Sequence, residues 1–248
     1  HRARHRHARH HPAERLMDAL IFAAGKGERM RPLTEHTPKP LLCVGGKALI
    51  EWHIEKLAAL GSKTIVINTS WLAECFEPAL GDGSRWGLKL VYSYEGLEPL
   101  ETGGGMALAL SHLGDAPFIA VNGDVFCAYD FRHLPVNPKA LAHLVMVANP
   151  EHNPQGDFAL QPNGYLQSEG PERLTFSGIG VYRPELLLNC KNDWAQPGTQ
   201  HPRFKLAPIL RRAMQVQQVS GEHFTGQWTD VGTPERLAEL DQALRNRI

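Results

Sequence analysis

The sequence predicts an α/β fold with a doubly wound, mostly parallel, Rossmann-like sheet, and three observations support this class. Short apolar runs alternate with longer amphipathic stretches between residues 17 and 124. The apolar runs are continuous, as expected for strands that helices cover on both faces. Glycines or an acidic residue follow several of these runs, at the carboxyl ends of strands where ligands bind in such sheets.

The first half of the chain contains predicted strands and helices in alternation. Residues 48–61 have helical periodicity that ends at Gly61, a typical C-terminal signal. Pro78 is expected to shorten or kink the second helix. The predicted strands cover residues 19–25, 63–68, 88–94 and 116–124, and the predicted helices cover residues 48–61, 70–81 and 102–114.

The second half is predicted to extend the sheet with mixed strands that form a sugar-binding lid over the first half. No composition break or internal repeat divides the chain, so residues 17–248 are expected to form one domain. Residues 1–16 are polar, basic and rich in His, and are predicted to be disordered. The predicted strands are 143–150, 158–160, 174–184 and 217–224, with helices near 206–216 and 234–246.

Composition and charge exclude several classes of protein. The net charge of the whole chain is zero, and residues 1–16 carry five Arg and one Glu, which leaves a mildly acidic remainder. That balance argues against nucleic-acid binding. No apolar run approaches transmembrane length, and the four Cys lack the spacing of a zinc site. We expect a cytoplasmic protein without a membrane partner, as a monomer or small homo-oligomer.

The strongest functional signal is the run AAGKGERMRPLT at residues 23–34, followed by TPKPL at residues 37–41. Glycines directly after a strand let backbone N–H groups approach phosphates closely. Arg29 and Lys39 could then neutralise a triphosphate. The run lacks the P-loop pattern, and Met30 breaks the dinucleotide-binding GxGxxG pattern. The alternative interpretation is a basic surface loop with turn glycines.

Two acidic residues and a second glycine run provide further candidates. Asp124 ends the fourth predicted strand, in VNGDV, and Asp230 precedes a predicted helix, in QWTDVGTP. Carboxylates suit Mg²⁺, although either residue alone could be a turn or helix-cap residue. The run ETGGG at residues 101–105 either presents backbone groups to a ligand or forms a tight turn with a glycine cap.

Together these runs resemble the signature of the sugar-1-phosphate nucleotidyltransferases, GxGxR followed by PxT and PK, and the resemblance extends from Met17 to the C-terminus. It implies a nucleoside triphosphate and a sugar 1-phosphate as substrates, pyrophosphate as a product, and Mg²⁺ as the cofactor. It assigns nucleotide binding to Ala24, Gly25, Gly27, Glu101, Thr102 and Gly103, catalysis to Arg29 and Lys39, and metal binding to Asp124 and Asp230.

The sequence signals for the sugar-phosphate site are weaker than those for the nucleotide and the metal. Many members of this family hold the sugar phosphate with the lysine of an EKP element, which this chain lacks. Lys205, in FKLAP, is the nearest basic residue after the predicted strand at 174–184, and we expect it to bind the sugar phosphate. Gly156 is a second candidate, for close backbone approach. A solvated lysine and an ordinary turn glycine are the alternatives.

Within the family, the resemblance is strongest to uridylyltransferases that act on N-acetylmuramate α-1-phosphate with UTP, in peptidoglycan recycling. It rests on the absent EKP, the short C-terminus, and the stretches NGDV, TFSGI, FKLAP and SGEH. The carboxylate of such a sugar needs a cation, for which Arg173, Arg203, Lys205 and His223 are candidates. Mannose- or glucose-1-phosphate nucleotidyl transfer is an alternative, as is a regulatory relative that only binds nucleotide-sugar. A glycosyltransferase is disfavoured because NGDVF lacks the second acid of a DxD motif.

Overall fold

A computed structural model describes residues 17–247, so the predicted disorder of residues 1–16 lies outside the described part of the chain. The first half contains β1 (Ala19–Phe22), β2 (Cys43–Val44), β3 (Lys47–Ala48), α1 (Leu49–Leu60), β4 (Thr64–Thr69), α2 (Phe76–Leu80), β5 (Lys89–Tyr94), α3 (Glu101–Leu113), β6 (Phe118–Asn122) and β7 (Val125–Cys127). The second half contains β8 (Ala142–Val147), β9 (Phe158–Leu160), β10 (Leu166–Gln167), β11 (Arg173–Tyr182), α4 (Glu185–Leu188), α5 (Lys191–Trp194), α6 (Leu206–Met214), β12 (Val219–His223), β13 (Trp228–Asp230) and α7 (Pro234–Arg245).

A nine-stranded sheet forms the centre of the fold. Its parallel part has the order β6-β1-β4-β5, and β11 continues it on the β6 side in the antiparallel direction. Strands β8, β9, β10 and β12 complete the extension. The predicted α/β class, with a parallel core and a mixed extension, is therefore confirmed.

Successive side chains of β1 point into two different buried clusters, one on each face of the sheet. Ile21 faces α1, where it packs in one cluster with Ile54 and Leu57. Leu20 faces the other side and packs with Met106 of α3. Successive side chains of a strand point to opposite faces of the sheet, so helices must cover both. This arrangement explains the continuous apolar runs from which the fold class was predicted.

Several elements differ from the sequence prediction for identifiable reasons. The helix predicted at residues 70–81 begins only at Phe76, after a short 3₁₀ helix at Ala73–Cys75. Pro78 therefore lies in the first turn, where a missing N–H is tolerated. Strands β7 and β13 were not predicted, because each has three residues and depends on the other for its hydrogen bonds. No helix within residues 17–247 is long and apolar enough to span a membrane.

Glycines of α3 allow the second half of the chain to pack closely on the first. The Gly104 N–H donates to the Phe204 carbonyl (3.0 Å), and the Phe204 N–H donates to the Leu100 carbonyl (3.2 Å). A Cβ on Gly104 would lie 2.5 Å from the Pro202 carbonyl oxygen. Here glycine is required by the close approach of two backbones.

We expect Gly104→Ala to lower the free energy of unfolding. The added methyl group meets backbone, and overpacking of this kind costs about 1–3 kcal/mol. A gain in helix propensity of about 1 kcal/mol offsets only part of that cost. Urea denaturation measures the difference, with Ser111→Ala on the exposed side of the same helix as the control. Equal or greater stability of Gly104→Ala would show that the two segments are not packed as described.

Candidate active site

A cleft of about 640 Å³ opens at the carboxyl ends of the parallel strands. Strand register sets its position, since Phe22 at the end of β1 lies opposite Asn68 of β4 and Asn122 of β6. The cleft is therefore at the edge of the sheet where the sequence predicted a ligand. The lining residues are 22–30, Lys39, Pro40, Asn68, Glu95, Pro99, Glu101, Thr102, Asn122 and Asp124.

The loop after β1 forms one wall of the cleft, and Ala24, Gly25 and Gly27 all line it. Gly25 has open space where a Cβ would stand, so a ligand can approach its backbone directly. Gly27 has a φ of +61°, and its carbonyl accepts hydrogen bonds from the Thr34 hydroxyl (2.6 Å) and the Met30 N–H (2.9 Å). The left-handed backbone at Gly27 thus folds the loop back on itself.

Arg29 and Lys39 both reach the cleft but differ in their surroundings. Arg29 is exposed, and its guanidinium has no ion-pair or hydrogen-bond partner within residues 17–247. The side chain of Lys39 is 9% exposed, and its Nζ lies 3.1 Å from Oδ2 of Asp124. Arg29 can therefore move to meet an anion, whereas Lys39 is held in place by the Asp124 carboxylate.

Pairing of β7 with β13 brings Asp124 and Asp230 side by side. Asp230 lies opposite Val125 in the antiparallel ladder, and the Val231 N–H donates to the Asp124 carbonyl (3.1 Å). Both aspartates and Arg29 line a recess of about 300 Å³ that is continuous with the cleft. Two neighbouring carboxylates could hold a divalent cation that completes its coordination with phosphates and water.

His152 and Arg236 hold Asp230, and sequence reasoning missed both. His152 Nε2 lies 2.9 Å from Oδ2 of Asp230, and Arg236 Nη1 lies 3.6 Å from the same oxygen. Arg236 Nη1 also lies 3.2 Å from His152 Nδ1. The three side chains therefore form one connected group. The two residues come from distant parts of the chain, so no local motif marks them.

Helix α1 supports the strand that follows Asp124. His53 is buried, and its Nε2 lies 2.7 Å from the Val125 carbonyl oxygen. Burial lowers the pKa of His53 to about 4, so the neutral ring donates this hydrogen bond. One turn further along the helix, Lys56 donates to the carbonyl of Cys127, the last residue of β7, and to the Tyr129 carbonyl (2.8 Å). Together these bonds fix β7, and with it the position of Asp124.

A buried network connects the loop after β1 to the start of α3. The Ala23 N–H donates to Oδ1 of Asn68 (2.6 Å), and Nδ2 of Asn68 donates to Oε1 of Glu95 (3.0 Å). The other Glu95 oxygen accepts from the Leu100 N–H (3.0 Å). Asn68 and Glu95 follow the apolar runs of β4 and β5, and this position at strand ends was the signal in the sequence that could have identified them.

Glu95 has a perturbed acidity with a clear cause. Burial raises its pKa from 4.5 to about 7, and the nearby Glu101 acts in the same direction. Hydrogen bonds from Leu100 and Asn68 oppose this shift but are outweighed. Glu95, which lines the cleft, therefore changes charge near neutral pH.

Three predicted site residues lie outside the cleft lining, whereas Glu101 and Thr102 lie within it. Gly103 is covered by Phe204, whose ring would be 2.5 Å from an added Cβ, so this glycine serves packing. Lys205 is exposed at the start of α6, because the next residue turns into the core. Gly156 has a φ of +67° in a turn against the Arg173 carbonyl. For these three residues the geometry does not support the predicted ligand contacts.

Comparison with known proteins decides the family. Residues 18–247 match the family described as nucleotidyl transferase. The chain belongs to this family. This nucleotidyl transferase is 50% identical to the N-acetylmuramate alpha-1-phosphate uridylyltransferase of Neisseria meningitidis serogroup B, over 92% of this chain and 98% of that protein. It is 31% identical to the protein of the same name from Caulobacter vibrioides, over 89% of this chain and 97% of that one.

A solved structure supports the same fold. The inositol-1-phosphate CTP transferase of T. maritima superposes with a TM-score of 0.73, covering 94% of the nucleotidyl transferase and 98% of the other chain, at 17% identity. At this identity the likeness concerns the fold. The predicted resemblance to sugar-1-phosphate nucleotidyltransferases is confirmed by the family match and by the two relatives.

We expect Glu95→Gln to change how stability depends on pH. The folded-state pKa lies above the ordinary value of 4.5, so the folded state binds the proton more tightly. The stabilisation is complete below about pH 4.5 and is lost as the pH rises through about 7, a change on the order of 3 kcal/mol. Glu95→Gln removes this dependence, which urea denaturation between about pH 5 and pH 8 measures.

The control is Glu77→Gln, which removes one charge from the exposed face of α2. A wild-type protein whose stability relative to Glu95→Gln does not fall over this pH interval would contradict the assignment of the titration to Glu95.

Proposed function

We propose that this nucleotidyl transferase joins UMP from UTP to N-acetylmuramate α-1-phosphate and releases pyrophosphate. The reaction type is supported by four residues that line adjoining recesses of one cleft: Arg29, Lys39, Asp124 and Asp230. Support for the substrate pair comes from the relative in Neisseria meningitidis, which is 50% identical and matches nearly end to end.

In the proposed reaction, an oxygen of the sugar 1-phosphate attacks the α-phosphorus of UTP. The bond from that phosphorus to the bridging oxygen breaks, and pyrophosphate leaves with the electron pair. The attacking oxygen is already anionic, so no general base is required. Positioning and charge stabilisation therefore dominate. Arg29 is free to follow the charge that develops on the transferring group, and Lys39 stabilises it from a fixed position.

The acidic pair fits a magnesium ion in this proposal. Mg²⁺ prefers one or two protein carboxylates, with substrate phosphates and water as the other ligands. Asp124 supplies one carboxylate from the turn before β7, and Asp230 supplies the second from the end of β13. Residues 17–247 contain no cluster of three or more His, Cys, Asp or Glu that could hold a metal. When bound, the ion offsets phosphate charge. His152 and Arg236 orient Asp230, while Lys39 orients Asp124.

The two substrates occupy different parts of the cleft in this proposal. The triphosphate lies along Ala24, Gly25 and Gly27, and the nucleoside lies beside Glu101 and Thr102, which line the same cleft. The sugar lies toward the second half of the chain, beyond Asn122. The phosphate of the sugar then meets the α-phosphorus between Arg29 and the aspartate pair.

The cellular setting is part of the proposal. Cys43, Cys75, Cys127 and Cys190 are all free, as in proteins of reducing compartments. We therefore place the reaction in the cytoplasm. There it would return N-acetylmuramate recovered from peptidoglycan to the nucleotide-linked pool of cell-wall precursors.

We expect Asp124→Asn and Asp230→Asn each to lower kcat/KM by at least about 100-fold, because the lost charge amounts to several kcal/mol in the transition state. Pyrophosphate release at saturating Mg²⁺ measures the effect. Asp115→Asn, at an exposed position after α3, is the matched control. Normal turnover by either cleft variant would place the metal elsewhere.

A substrate panel tests the proposed function directly. Four nucleoside triphosphates are combined with the 1-phosphates of N-acetylmuramate, N-acetylglucosamine, glucose and mannose, and pyrophosphate release gives kcat/KM for each pair. We expect UTP with N-acetylmuramate 1-phosphate to be the best pair. A preference for another sugar would refute the muramate assignment, and no release with any pair would refute nucleotidyl transfer to these sugars.

A further inference from the structure

A second recess, of about 230 Å³, opens off the cleft on the side of the second half of the chain. It shares Phe22, Thr102 and Asn122 with the main cleft, so a ligand in one can reach into the other. Its remaining walls come mainly from β9, β11 and α6, and are largely apolar. The charged residues among them are Asp157 and Arg211.

Arg211 has no anionic partner. It is exposed, and no carboxylate within residues 17–247 lies at ion-pair distance. Its guanidinium carbon lies 5.9 Å from the centroid of the Phe158 ring. Its neighbour on the helix, Arg212, by contrast lies 2.7 Å from Asp193. Arg211 therefore contributes a positive charge without an anionic partner to a largely apolar recess.

The acidic residue of the recess is already engaged. One oxygen of Asp157 accepts from the Phe176 N–H (2.8 Å), and the other accepts from Nδ2 of Asn153 (3.2 Å). These bonds hold the carboxylate against β11 and away from Arg211. The positive charge of Arg211 consequently remains available to a ligand.

The position of the recess shows which part of a sugar substrate would reach Arg211. The reacting phosphate must lie beside Asp124, Asp230 and Arg29, and none of these lines the recess. Asn122 lines both this recess and the recess that holds Asp124 and Asp230, so one pyranose can extend from one recess into the other. Arg211 therefore meets a substituent of the ring that is remote from the 1-phosphate.

The other candidate cations for a sugar carboxylate are placed less favourably. Arg203 lies 3.2 Å from Glu101, and Arg173 lies 3.5 Å from Glu169. Lys205 and His223 are exposed and line neither the cleft nor this recess. The structure therefore favours Arg211 over these four residues as the partner of a sugar carboxylate.

We infer that the recess receives an acidic substituent of the sugar and that Arg211 pairs with its carboxylate. This inference rests on the proposed function, since N-acetylmuramate differs from N-acetylglucosamine by a lactyl ether that carries one carboxylate. The apolar walls suit the methyl group of that ether, and a guanidinium binds a carboxylate through two parallel hydrogen bonds. Arg211 thereby determines specificity for a sugar acid.

The test compares two sugars in two matched variants. Arg211→Met keeps an unbranched apolar stem and removes the guanidinium, and Arg212→Met makes the same change one residue along the helix. Pyrophosphate release with UTP gives kcat/KM for N-acetylmuramate 1-phosphate and for N-acetylglucosamine 1-phosphate. We expect Arg211→Met to lower the ratio of the two by about 10- to 100-fold, the usual effect of losing a charged hydrogen bond. Arg212→Met should leave the ratio unchanged.

A neutral substrate and a conservative variant refine the comparison. Wild-type enzyme should use the methyl ester of N-acetylmuramate 1-phosphate about as poorly as Arg211→Met uses the free acid. Arg211→Lys should restore part of the ratio, because it keeps the charge but not the paired geometry. Thermal unfolding of each variant checks that the exposed substitutions leave the fold intact.

Two results would overturn the inference. An unchanged ratio in Arg211→Met would show that the carboxylate binds elsewhere, and an equal loss for both sugars would show that Arg211 acts on a part they share. The wild-type enzyme separates this failure from that of the proposed function. If it does not use N-acetylmuramate 1-phosphate with UTP, the proposed function is wrong and the inference falls with it.

Discussion

The parallel register of β1, β4 and β6 is the constraint on which the rest of the site depends. It places the ends of three strands level, with Phe22 between Asn68 and Asn122. One part of the site lies at the end of each strand. The glycine loop follows β1, the Asn68–Glu95 network begins at the end of β4, and the turn that carries Asp124 follows β6. Because helices pack on both faces of these strands, a one-residue slip would turn every packed side chain to the opposite face. The relative positions of these parts are therefore set by the core.

The second half of the chain completes the site through backbone contacts. Strand β13 pairs with β7 and brings Asp230 beside Asp124. The acidic pair therefore forms only when the C-terminal part of the chain packs against the first half. Backbone hydrogen bonds of Gly104 and Leu100 with Phe204 hold the segment before α6 to the first half. Thr102, two residues before Gly104, borders both the cleft and the recess of about 230 Å³, so this contact lies next to both.

Charge is distributed unevenly around the cleft. Lys39 and Asp230 are each held by partners of opposite charge, which positions them in the absence of ligand. Arg29 and Arg211 lack such partners within residues 17–247 and lie at separate recesses. Unpaired arginines beside concave surfaces mark places where anionic ligands gain most, because no internal ion pair must be broken. A substrate with two separate negative groups matches this arrangement.

The sequence by itself determined the α/β class. It also predicted a site of the glycine loop with Arg29 and Lys39 and both aspartates, and these residues line one cleft, because both predictions depend on local patterns of apolar residues, glycines and acids. It also pointed to the family, which comparison confirmed. Lys205, Gly103 and Gly156, which it also predicted for the site, do not line the cleft, because a residue's exposure depends on what packs against it. Only the tertiary structure identified His152, Arg236, Glu95 and Arg211, whose roles arise from contacts between distant segments. Such contacts are set by strand register and helix packing, which no single stretch of sequence encodes.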